Sequence, residues 1–159
     1  MLSLITLLVY SQNDKPERIS YILKLPVDSI NFYEQEVKSS PYFVADKVLQ
    51  MYATETIFIE VETKKTEIIS MKTVTENINP KKTITVALTQ TIKGKKSEMM
   101  TLKITNPLKY ELQYKAQMYI VGHNKWIATN VYPVLPKLIA YETWGDVIIT
   151  LILSDWQLK

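Results

Sequence analysis

Tyr110 to Val121 reads YELQYKAQMYIV, the longest alternating run in the chain. Tyr110, Leu112, Tyr114, Ala116, Met118 and Ile120 fall on one side, with Glu111, Gln113, Lys115 and Gln117 on the other. A period of two belongs to a strand with one buried and one wetted face. The run therefore predicts a strand of an antiparallel sheet packed on a core.

The same pattern extends in both directions. GHNK, residues 122–125, reverses the chain into WIATNVY, with Gly122 and Asn124 suited to the backbone of a tight turn. Upstream, TITVALTQTI places Ile84, Val86, Leu88 and Ile92 on one side, and Met100, Leu102 and Ile104 continue that face after the tip KGKKS. IFIEVE does the same with Ile57, Ile59 and Val61, and a partner strand is expected from about Glu67 to Thr75. Asn79-Pro80 and Asn106-Pro107 mark turns. VIITLILSDWQL, residues 147–158, opens on a near-continuous apolar run, which suggests a central strand covered on both faces.

Seven strands at roughly ten-residue spacing predict an all-β fold, an antiparallel immunoglobulin-like β-sandwich, with a small β-barrel as the alternative. Residues 12–50 are less regular. Within them KVLQMY is read as an edge strand rather than as the end of a helix starting at Ser40-Pro41. Residues 51–159 carry the sandwich and form one domain with 12–50.

Residues 1–11 read as the remnant of a signal peptide. MLSLITLLVY is uncharged, charge begins at Asp14, and the run is too short to cross a bilayer as a helix. The ending Tyr10-Ser11-Gln12 resembles bacterial export signals that stop just before a glutamine. The expected location is periplasmic or extracellular; if residues 1–11 are instead a core strand, it is the cytoplasm. No later apolar run is long enough to span a membrane.

Composition narrows the chemistry. With no cysteine, thiol catalysis and cysteine metal sites are excluded. Three glycines leave little for phosphate-cradling loops, and no nucleotide-binding or zinc-hydrolase motif is present. A net charge of +3 from 19 basic and 16 acidic residues provides no stripe for nucleic acid. His123, the sole histidine, sits at a hairpin tip with nothing to aim it, so it is not expected to act as a base or ligand. Glu60 and Glu62 share a strand face, where lysines of a neighbouring strand are the expected partners. No enzyme, cofactor or metal is expected.

That leaves binding. PVLPKLIAYETWGD, residues 133–146, is the longest connection between expected strands. Its aromatic residues, with the adjacent Tyr132, are the candidate contacts: Tyr132, Tyr141 and Trp144. One expectation folds Leu135, Leu138 and Tyr141 inward as a plug under a Trp144 lid. The other turns the rings outward, as a platform for a protein or a carbohydrate. A non-catalytic, exported accessory or assembly component working through protein contacts is the expected function, with a carbohydrate-binding module as the alternative and a hydrolase using His123 or the Glu60/Glu62 pair as the second alternative.

Overall fold

The computed structural model describes residues 17–159, so the expectation of a signal remnant lies outside the described residues. Their order is β1 (Glu17–Arg18), β2 (Tyr21–Pro26), β3 (Phe32–Val37), β4 (Ser40–Pro41), β5 (Phe43–Ala45), β6 (Val48–Tyr52) and β7 (Thr56–Lys64). There follow β8 (Glu67–Val74), β9 (Thr83–Lys93), β10 (Lys96–Thr105), β11 (Leu112–Ile120), β12 (Ile127–Thr129), β13 (Ile139–Trp144) and β14 (Ile148–Leu158).

Two five-stranded antiparallel sheets pack together. One has the order β13-β10-β9-β7-β8 and the other β12-β11-β14-β6-β5. Both end in edges, so among the described residues no ladder closes them into a barrel. The core lies between the sheets. Ile57, Ile59, Ile84, Val86, Leu88, Met100, Leu102 and Ile104 come from the first; Leu49, Met51, Leu112, Ala116, Met118, Leu151 and Leu153 come from the second. All belong to alternating runs, whose pleat turns every second side chain towards the opposite sheet. Ile92 is the exception. Near the hairpin tip, beyond the reach of the opposite sheet, it is exposed.

β14 does occupy the middle of its sheet, between β11 and β6. Ile148, Ile149, Thr150 and Leu151 are all buried, so this part of the strand is covered on both faces. The hairpin β2–β3 forms a two-stranded sheet of its own, tied to β9 by the bond from Gln90 Nε2 to the Pro26 carbonyl at 2.8 Å. Leu23, Leu25 and Val37 are buried on one of its faces, while Ile22, Lys24, Glu34 and Glu36 are exposed on the other. Burial raises the Tyr33 hydroxyl, whose neighbours are Tyr52 and Tyr119, the strand residues either side of Thr150 in the ladder.

Two expectations need correcting. Residues 17–50 are not irregular: they hold β1 to β5 and most of β6. KVLQMY is indeed a strand, but β6 lies inside its sheet, with β5 outside it. β5 is only three residues long, too short for its alternation to show in sequence.

Candidate functional site

His123 and the Glu60/Glu62 pair, the groups a hydrolase would need, lie on different elements. His123 is exposed in the β11–β12 connection, where its backbone N–H donates to the Ile120 carbonyl at 3.0 Å. Glu60 is buried and its carboxylate is fully engaged. Asn79 Nδ2 donates to it at 2.5 Å, Lys72 Nζ lies at 3.2 Å and Lys82 Nζ at 3.5 Å. Lys82 also bridges to Glu62 at 2.7 Å. The hydrogen bond from Asn79, then that from Lys72, holds the Glu60 carboxyl below its ordinary range. Lys72, the ladder partner of Glu60 on β8, is the strand lysine expected, whereas Lys82 reaches both acids from the turn before β9. Among the described residues no group of three or more His, Cys, Asp or Glu is placed to hold a metal. No helix among them is long and apolar enough to cross a membrane.

The connection from β12 to β14 departs most from expectation. IAYETW is an edge strand, β13, paired with β10 from Met100↔Trp144 to Thr105↔Ile139. The approach to it is held by Asn106, which is 1% exposed. Its Nδ2 donates to the carbonyls of Tyr110 (2.9 Å), Val134 (3.0 Å) and Leu135 (3.2 Å), and its Oδ1 accepts from Leu108 N at 3.0 Å. Asn106 N donates to the Leu138 carbonyl at 2.9 Å. Val134 exchanges two 2.9 Å backbone bonds with Leu112 and is fully buried. Leu135-Pro136-Lys137-Leu138 then closes a turn, with Leu138 N donating to Leu135 O at 3.2 Å. Lys137 has φ 62°, the left-handed value that the third residue of a Pro-led type II turn requires.

Only Val134 plugs the end of the sandwich. Leu135 and Leu138 are each 53% exposed, Tyr141 60% and Tyr132 79%, with Ile139 also exposed. The inward plug of Leu135, Leu138 and Tyr141 is therefore not formed. The reason is register. Leu102 is core-facing and pairs with Glu142, so Ala140, Glu142 and Trp144 take the inner face and Ile139, Tyr141 and Thr143 the outer. Trp144 is partly buried, and its indole Nε1 donates to Thr129 Oγ1 of the opposite sheet at 3.1 Å. Glu142 Oε1 accepts from Tyr132 N at 2.7 Å, which occupies a backbone donor of the chain continuing from β12. Of the three aromatic candidates, two are thus presented to solvent and one is a strut between the sheets.

The four sheet edges are unequally guarded. β5 and β12 are three residues long. β8 carries Glu67 and the ion-paired Lys72. β13 presents an uncharged outer face of Ile139, Tyr141 and Thr143 beside the exposed Leu135 and Leu138. Short length and charge are the usual means of keeping an edge unpaired, and on its outer face β13 has neither. The surface can bury apolar area and accept strand-to-strand hydrogen bonds, and it brings no titratable pair into a cleft. Compared with known proteins, the chain matches no family model, no curated protein and no solved structure.

Proposed function

We propose that the chain is a non-catalytic binding protein of immunoglobulin-like architecture, exported from a bacterial cell, which works by docking polypeptide on the β13 side of the sandwich. The observation that carries this reading is the exposure of Tyr132, Leu135, Leu138, Ile139 and Tyr141 on β13 and the connection that leads into it. A group of large apolar side chains in water on a rigid frame is the usual mark of a contact surface. The rigidity comes from Asn106, Val134 and Pro136. Export is supported by the apolar run of residues 1–10, and the mature protein recovered from its host is expected to begin at Gln12 by mass spectrometry.

Carbohydrate binding is the second reading, favoured by the two exposed rings of Tyr132 and Tyr141. Sugar sites place polar groups beside such rings to meet the hydroxyls. Here Glu142 is engaged by Tyr132 N and the indole N–H of Trp144 by Thr129, which leaves Lys103, across the ladder from Tyr141, as the charged group beside a ring. A photo-reactive benzophenone side chain at position 141, introduced in the native host, separates the two. A polypeptide adduct lost on Leu138→Lys supports docking. No adduct, together with polysaccharide-dependent changes in Trp144 fluorescence, would replace it with the sugar reading.

A further inference from the structure

We infer that the occupant of the β13 edge is a second copy of this chain, added antiparallel so that two five-stranded sheets join into one of ten strands. The inference rests on the docking reading and names its partner. Residues opposed in an antiparallel pair point to the same face, so a two-fold axis must pass through a residue pair. An axis through Glu142 would set two carboxylates against each other. An axis through Tyr141 uses the whole strand: Tyr141 meets the partner subunit's Tyr141, Ile139 meets the partner subunit's Thr143, and Ala140 meets the partner subunit's Glu142. Aromatic and β-branched pairs are favourable neighbours across a sheet. Alanine is the small residue that leaves the Glu142 carboxylate free to keep its bond to Tyr132 N.

Charge and area agree with this arrangement. Lys103 is the ladder partner of Tyr141 on β10, one strand in from the edge. In the dimer the two copies of Lys103 would stand three strand spacings apart, about 14 Å, which exceeds the screening length of roughly 8 Å at physiological salt. The net charge of +3 therefore does not oppose association locally. At their exposures the five apolar side chains offer on the order of 500 Å² per copy, or about 1,000 Å² in total, where specific interfaces begin.

The absence of cysteine makes the register directly testable. In the full chain, Tyr141→Cys sets two thiols on the axis, with Cα atoms about 4.5–5.5 Å apart and within reach of a disulfide. Thr143→Cys leaves its two copies about 14 Å apart, beyond such reach. Under mild oxidation the first is expected to become a covalent dimer and the second to remain uncrosslinked. Sedimentation equilibrium of the unmodified protein is expected to show twice the chain mass. Tyr141→Lys, which opposes two ammonium groups at an exposed position, is expected to give a folded monomer whose melting temperature, unlike that of the unmodified protein, does not rise with protein concentration. Equal crosslinking of both cysteine variants would overturn the register. A monomer at every concentration, with no Tyr141→Cys crosslink, would overturn the inference. In that case a benzophenone adduct to a different protein would leave the docking reading standing, whereas no adduct at all would remove both.

Discussion

Arg18 is a residue that sequence patterning would place in solvent, yet it is 1% exposed. Its guanidinium donates through Nε and Nη2 to Glu55 at 2.5 and 3.1 Å, through Nη1 to Ser40 Oγ at 2.8 Å and through Nη2 to the Gln50 carbonyl at 2.8 Å. The rings of Tyr42 and Tyr52 lie 4.7 and 4.9 Å from its carbon. Tyr21 adds a hydrogen bond to Glu55, and burial, followed by that carboxylate, pushes its hydroxyl far above the ordinary range. The fork ties β1 to the β6–β7 turn, and a planar group with fixed donors is needed to satisfy all these partners at once. Arg18→Ala strands the Glu55 carboxylate in the interior, so we expect a loss of about 3–5 kcal/mol by chemical denaturation. Arg18→Lys should recover only part of it. A loss within experimental error would mean that the pair contributes nothing net.

Glu60 gives a second expectation at this scale, with a definite sign. Its folded carboxyl titrates below the ordinary carboxyl value of 4.5, first because of Asn79 and then Lys72. A depressed carboxyl contributes stability that is fully present above its unfolded value and is lost as pH falls through the folded one. The unmodified protein should therefore lose stability on acidification below about pH 4.5, and Glu60→Gln should lose less over the same range. Thermal melts at stepped pH check this; parallel curves for the two proteins would contradict it.

At the scale of the element, Asn106 decides whether the docking surface exists. Its side chain supports both sides of the connection that carries Leu135 and Leu138, and Asn106→Ala would take the side-chain partner from the Tyr110 carbonyl and from the buried Leu108 N–H. We expect a cost of about 1–3 kcal/mol and faster hydrogen exchange at Val134 and Leu138, with β9 protection unchanged. Equal loosening of β9 and β13 would show a general destabilisation instead. This element is also where sequence reading stopped. Strands that face core on one side and water on the other, such as β9 and β11, were legible because their two faces differ in polarity. β13 was not. Its inner face is Ala140, Glu142 and Trp144 and its outer face Ile139, Tyr141 and Thr143, so neither is uniformly polar or apolar. β2 and β3 alternate too, but the irregular stretches around them hid the hairpin. The candidate aromatics Tyr132, Tyr141 and Trp144 were found from their crowding into one connection. What separated Trp144 from the other two was register, which a single sequence does not contain.

For the whole molecule, the order of assembly follows from where β14 sits. It joins β11 and β6, and its pairing of Ile152 with Gln50 closes a loop of about a hundred residues before that half of the sheet is complete. Non-local pairing of this kind makes folding slow, on the order of milliseconds to seconds for sandwiches. We expect the long-range contacts of β14 to belong to the folding nucleus, and the β2–β3 hairpin, whose ladder is its own, to dock afterwards. Leu151 and Leu23 separate the two roles, since both are buried, at 0% and 2% exposure. Leu151→Ala and Leu23→Ala should each cost about 2–5 kcal/mol. We expect Leu151→Ala to act largely on the folding rate and Leu23→Ala largely on unfolding, as stabilisation gained before and after the barrier requires. Stopped-flow folding and unfolding rates across denaturant measure the split. If Leu23→Ala slows folding as much as Leu151→Ala, the hairpin belongs to the nucleus and the sheet does not form ahead of it.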